Sequence, residues 1–145
     1  MLNFANSIAF FAGQEPPVSL RNYWPPSNGF VWSTGKWCEL SFEFELGSKA
    51  VTGLADLILD IGVFKVDQKL PGQNVAIFLN GLRIGTFFCK ARITNIAQFD
   101  ARILKSEKNI LIFDTPESAR PSDFGSDDKR LLGIQLFSLQ IRRAG

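Results

Sequence analysis

Tyr23, Trp24, Phe30, Trp32 and Trp37 fall inside one stretch, RNYWPPSNGFVWSTGKWC over residues 21–38, which holds all three tryptophans and the only tyrosine of the chain. Aromatics set among Pro, Gly, Asn and Ser are unlike an ordinary buried strand. Two uses fit them. Their rings can serve as platforms for the C–H-rich faces of a sugar, with nearby amides, carboxylates or guanidinium groups giving directed hydrogen bonds. Alternatively they plug the open end of a small core, with the indole N–H groups bonded to turns. On the first use the contact residues are Tyr23, Trp24, Phe30 and Trp32, with Arg83 and Asp127 adding polar groups. Burial suits Trp32 and Trp37 better, whereas Trp24, followed by two prolines, suits either use.

Other chemistry is thin. The chain has no histidine, the commonest acid–base side chain near neutral pH, and so no Cys–His nucleophile of its own. Two carboxylates can hydrolyse a glycosidic bond when they flank it. Asp56, Asp60, Asp67, Asp100, Asp114, Asp123, Asp127 and Asp128 form no such pattern; Asp56 and Asp60 share a strand face and read as solvated. The expectation is a protein that is not an enzyme and carries no cofactor. No Gly-rich phosphate loop is present. Cys38 and Cys89 lack histidine partners for zinc and read as buried free thiols. Asp123, Asp127 and Asp128 can offer hard oxygen atoms to a structural calcium ion, but they lack EF-hand spacing. An acidic turn tied down by Lys129 or Arg130 accounts for them better.

The formal charge of +2 comes from 16 basic and 14 acidic residues. The only compact basic cluster, Arg142–Arg143, reads as a solvated strand end, which argues against nucleic acid as a partner. No apolar run reaches the roughly 18 residues of a membrane span, so direct membrane insertion is not expected. The first residues lack a basic region and are interrupted by Asn3, Asn6 and Ser7, a poor match to a signal peptide. The compartment stays unassigned.

The elements that must position the aromatics are strands. At 145 residues, 46% hydrophobic, with 14 Phe and one Met, the chain fits one domain over residues 1–145 with a substantial core. An apolar run at 8–12 suggests a first strand, stopped by Gly13 and Pro16–Pro17. Residues 39–46 alternate cleanly, with Leu40, Phe42, Phe44 and Leu46 against Glu39, Ser41, Glu43 and Glu45, as in a sheet with one wet face. Residues 47–53 read as a turn. Residues 54–66 place Leu57, Leu59, Ile61 and Val63 on one phase.

Asn80–Gly81 between NVAIFL and RIGTFF predicts a two-residue hairpin. That turn pairs Leu79 with Leu82, Ile77 with Ile84 and Val75 with Thr86, leaving Phe78, Arg83 and Phe87 together on the other face. Residues 93–104 read as a crossover with a helical turn, and 109–114 as a strand. In the last strand Leu132, Ile134 and Leu136 follow one phase and Phe137, Leu139 and Ile141 the other. A β-bulge near Leu136 reconciles them. About eight strands joined by Pro- and Gly-containing turns predict an all-β, antiparallel β-sandwich, jelly-roll-like in connectivity.

Tyr23–Trp24, then Gly29-Phe30-Val31-Trp32-Ser33 with Gly35, residues 75–81, and the late Ser126-Asp127-Asp128-Lys129-Arg130-Leu131-Leu132-Gly133-Ile134 carry a family resemblance. Together they resemble accessory β-sandwich modules of bacterial glycosyltransferases and polysaccharide-envelope proteins. The resemblance covers most of the chain and implies a noncatalytic, jelly-roll-like domain of carbohydrate-binding appearance, in which the Trp–Ser and Asp–Arg–Leu–Gly segments stabilise the sandwich. This chain departs from the pattern at Asp128-Lys129-Arg130, where a tighter acidic–basic spacing is common, and at Tyr23, where glycine is common. The partner expected on this reading is an oligosaccharide or polysaccharide. The alternative is an assembly module without sugar binding, whose partner is another protein or a second copy, docked on exposed aromatics or an open strand edge.

Overall fold

The computed structural model describes residues 2–10, 18–47 and 51–144. Ten strands are present among them: β1 (Ser7–Ala9), β2 (Ser19–Arg21), β3 (Val31–Trp32), β4 (Trp37–Phe42), β5 (Leu54–Val63), β6 (Gln73–Leu79), β7 (Leu82–Cys89), β8 (Ile93–Asp100), β9 (Asn109–Asp114) and β10 (Ile134–Arg143). They form two sheets, one ordered β1-β10-β5-β8 with β3 also on β10, the other β2-β4-β9-β6-β7. Every strand pair is antiparallel. The result is an all-β sandwich, jelly-roll-like, in agreement with the fold the sequence predicts.

Alternation drives the layers together. Leu40 and Phe42 of β4, Leu57, Leu59 and Ile61 of β5, Ile77 and Leu79 of β6, and Leu111 and Phe113 of β9 are all buried in one core. Each such side chain contributes about 1.5–3 kcal/mol when removed from water. Phe44 is buried beyond the end of β4, and Leu46 packs partly against the core.

The phase change in β10 resolves as expected. Its register against β5 shifts between Leu136 and Ser138, so Phe137 is the inserted residue. Leu139 and Ile141 then rejoin Ile134 and Leu136 in the core. Phe137 itself stays half-exposed under Arg92, whose guanidinium carbon lies 3.6 Å from the ring centroid.

Three expectations need correction. Asn80 (φ 50°) and Gly81 (φ 84°) do form the tight turn, but a second bulge shifts the pairing between Ile77 and Phe78. Ile77 therefore faces Gly85 and Val75 faces Phe87, not Ile84 and Thr86. Phe87 turns toward the core and Phe88 turns out, 50% exposed.

Residues 93–104 are mainly strand, not crossover: β8 pairs with β5 from Ile61↔Ile93 to Leu54↔Asp100. A 3-10 turn follows at Ala101–Ile103, capped by the Asp100 carboxylate accepting from Arg102 N–H. Finally, the predicted first strand is three residues, β1; residues 11–17 and the 48–50 part of the predicted turn lie outside the described residues.

Candidate functional site

The aromatic stretch is not an irregular loop. Asn28 (φ 54°) and Gly29 (φ 85°) occupy the left-handed region in succession, the requirement of a type I′ hairpin turn. Ser27 and Phe30 exchange backbone hydrogen bonds at 2.8 and 3.1 Å, and Trp24 N–H donates to Trp32 C=O at 2.9 Å. Tyr23 bridges Ser33. At the base, Asn22 (φ 65°) turns the chain; its Nδ2 donates to Trp37 C=O at 3.1 Å and its carbonyl accepts from Thr34 N–H at 2.8 Å.

The closing segment packs beside this hairpin. Ala119 and Leu132 exchange backbone hydrogen bonds, which closes residues 120–131 into a compact loop. Within it Pro121–Phe124 forms a 3-10 turn ended by Gly125 at φ 96°. Asp128 organises the return: its Oδ1 accepts from Arg130 N–H at 3.0 Å, and its carboxylate takes Arg130 Nε and Nη2 at 2.8–3.2 Å. The guanidinium holds the Asp128 carboxyl below the usual carboxylate range. The expected pinning of this acidic turn by a neighbouring cation is thus made by Arg130.

Hairpin and loop enclose a groove of about 620 Å³ lined by Asn22, Trp24, Thr34 and Gly35 on one side and Arg120, Lys129, Arg130 and Leu131 on the other. The Trp24 indole N–H reaches Leu131 C=O at a long 3.4 Å, and Arg130 lies 6.0 Å from the Trp24 ring centroid. The groove therefore has an aromatic wall, an amide, a hydroxyl and three cations, and among the described residues no carboxylate lines it. Only Trp24 of the sequence-selected contact residues lines it. Asn22, Thr34, Arg120, Lys129 and Arg130 stand beside it without a local motif that marks them as contacts; the Asn28–Gly29 pair, which makes the hairpin, is the sequence signal for the first two.

The other selected residues go elsewhere. Tyr23 packs against the core and its hydroxyl is buried beside the Cys38 thiol, with no well-formed hydrogen bond among the described residues. Burial, and then the neighbouring Cys38 thiol, raises its pKa well above the ordinary phenol value. Burial likewise pushes Cys38 up to about 12. Phe30 and Trp32 belong to a separate aromatic row, with ring centroids 5.7 Å apart for Phe30–Trp32, 5.1 Å for Phe30–Phe137, 6.4 Å for Trp32–Phe64 and 6.3 Å for Phe64–Phe124. Arg83 sits on the β6–β7 hairpin of the opposite sheet, and Asp127 is exposed on the closing loop without lining the groove. Trp37, expected to be buried, is 37% exposed with Arg21 stacked 5.2 Å over its ring.

The remaining chemistry is structural. Cys38 and Cys89 are both buried free thiols. Asp60 pairs with Arg92 at 2.7 Å and Asp56 with Arg142 at 3.9 Å; hydrogen bonding to Arg92 lowers the Asp60 pKa, the wrong direction for a general acid. Among the described residues no group of three His, Cys, Asp or Glu side chains is placed to hold a metal ion, so Asp123, Asp127 and Asp128 do not converge as a calcium site. Among the described residues no helix is long and apolar enough to cross a membrane.

No protein-family model matches the sequence, and no curated protein matches it. Among solved structures the chain is similar to the CBM36-1 domain of a multidomain xylanase from the hindgut metagenome of Trinervitermes trinervoides, with a TM-score of 0.52 and 14% identity over 97% of this chain and 99% of that one. A CBM35 structure from Paenibacillus barcinonensis gives 0.48 at 11% identity, covering 88% and 94%. A CBM36 structure in complex with calcium and xylotriose gives 0.42 at 9%, covering 94% and 98%. At such identities likeness speaks to fold, and the first of these carries it: the same β-sandwich over almost the whole length of both chains.

Proposed function

We propose that this domain is a noncatalytic carbohydrate-binding module that holds a glycan in the groove between the Asn22–Gly35 hairpin and the Arg120–Leu131 loop. The observation that carries this reading is the Trp24 ring, set as the wall of an open groove that also holds the hydrogen-bonding side chains of Asn22, Thr34, Arg120, Lys129 and Arg130. A flat apolar ring beside directed polar groups is the combination that sugars require, since their faces are apolar and their rims are hydroxylated. Tyr23 packs against the core and does not line the groove. The fold shared with a domain of a multidomain xylanase is consistent with a module that keeps an attached glycan-processing protein on its polymer.

A glycan array tests the reading. Saturable binding to some member, lost in Trp24→Ala while the melting transition survives, is the expected result. A folded domain that ignores a broad array of neutral and acidic glycans contradicts it. A second reading, protein docking, draws on Leu82 and Phe88 of β7 and Ile96 of β8, all at least half exposed on outer strands of the two sheets. Self-association or partner capture lost on Phe88→Ser would favour it.

A further inference from the structure

We infer that the glycan held in the Trp24 groove is acidic, carrying carboxylate or sulfate groups that meet Arg120, Lys129 and Arg130; this rests on the carbohydrate reading and narrows it to a substrate class. The charge layout argues for it. The chain as a whole is nearly balanced, with 16 basic and 14 acidic residues, yet among the described residues the groove lining contains three cations and no anion. The closing loop carries carboxylates of its own. Asp128 is consumed by Arg130, and Asp123 and Asp127 are exposed without lining the groove.

Arg120 and Lys129 make no ion pair among the described residues. Arg130 spends Nε and Nη2 on Asp128, which fixes its guanidinium and leaves the Nη1 side for a ligand. A guanidinium held in this way pairs strongly with an oxyanion, because its orientation is already set. Neutral sugars gain little from three convergent cations, whereas an acidic residue one sugar away from the ring stacked on Trp24 meets them directly.

The test is calorimetric titration with polygalacturonate, fully methyl-esterified polygalacturonate, chondroitin sulfate and single-stranded DNA, each at about 50 and 300 mM salt. Binding of an acidic polysaccharide at least about tenfold tighter than the ester, weakened by salt and by Arg120→Ala/Lys129→Ala, supports the inference. The carboxylated and sulfated polymers then identify which anion is preferred. Equal affinity for the methyl ester, or no effect of the double substitution, overturns the acidic assignment while leaving the glycan-binding reading intact. DNA bound as tightly as the acidic glycan also overturns it, since the groove is then a general polyanion surface. No binding to any of these three polysaccharides, with the protein folded, overturns the acidic assignment, and the broad array then decides the glycan-binding reading by itself.

Discussion

The Ser33 hydroxyl accepts a hydrogen bond from the backbone N–H of Ile134 at 2.8 Å, across 101 residues of sequence. The same junction has Ser33 N–H donating to Ile134 C=O at 2.9 Å and Gly133 N–H donating to Ser33 C=O at 3.3 Å. It joins the aromatic hairpin to the start of β10, so the two walls of the groove are fixed to each other by a buried polar clamp. Thr115 and Ser118 complete it, with Ser118 Oγ donating to Thr115 at 2.9 Å.

Gly133 is the tightest point of the clamp. A Cβ there would lie 2.6 Å from Ser33 Oγ, 2.6 Å from Ser118 Oγ and 3.1 Å from Thr115 Oγ1. Gly133→Ala is therefore expected to destabilise the domain by about 1–3 kcal/mol in urea unfolding. Ser33→Ala leaves the buried Ile134 N–H unpaired and should lose about 1–3 kcal/mol. Because Ser33→Ala also removes one of the clashing atoms, the double variant should lose less than the sum. Strict additivity would contradict the clamp.

Cys38 and Tyr23 make the fold sensitive to alkali. Both ionise to anions, and both have folded pKa values raised by burial, Cys38 from 9.0 to about 12. Between those values the unfolded thiol has lost its proton and the folded one has not, so the unfolded state binds fewer protons and stability falls as pH rises. The Cys38 contribution is complete below about pH 9 and declines toward pH 12, by up to about 1.4 kcal/mol per pH unit, and the Tyr23 contribution begins to decline only above about pH 10. Melting temperatures measured from pH 8 to 11 should fall, with a shallower slope in Cys38→Ala. Identical slopes would show that the thiol does not sense the core.

At low pH the sign reverses for the closing loop. The folded Asp128 carboxyl is held below its ordinary pKa by Arg130, so its pairing is intact above the unfolded value and is lost as pH falls through the folded one. The pair is exposed, so global stability should change little. Amide exchange in residues 120–131 should instead quicken in acid, and Asp128→Asn should show the quickened exchange already at neutral pH. Equal protection in both proteins at neutral pH would remove Asp128 as the organiser of the loop.

The β10 bulge makes a length-dependent prediction. Phe137→Ser keeps the inserted residue and trims a half-exposed ring, so it should be tolerated with a modest loss of stability. Deleting Phe137 moves Leu139 and Ile141 to the wrong face of the strand, and should abolish cooperative unfolding as followed by tryptophan fluorescence. A deletion variant as stable as the serine variant would show that the register can be repaired elsewhere.

The sandwich was legible because its evidence is local: the alternation at 39–46, the Asn80–Gly81 turn and the phase change after Leu136 are each visible within a few residues. The bulge that turns Phe87 inward was not, since it is set by how β7 must meet the core. The site was legible in part. Trp24 could be singled out by its surroundings, but Tyr23, one residue away, packs against the core instead of lining the groove, and that difference follows only once Asn28–Gly29 is seen as a hairpin turn. Arg120 and Lys129 come beside Trp24 through the Ala119–Leu132 bridge and the Ser33–Ile134 clamp, long-range contacts that no spacing rule announces.

The groove assignment is tested most directly by the three indole N–H signals in a proton–nitrogen correlation spectrum, assigned by single Trp→Phe variants and followed while a bound glycan is titrated. The Trp24 signal should move saturably, with Trp37 unmoved. A glycan that binds while shifting Trp32 and leaving Trp24 in place would contradict the account and move the platform to the Phe30–Trp32–Phe137 row.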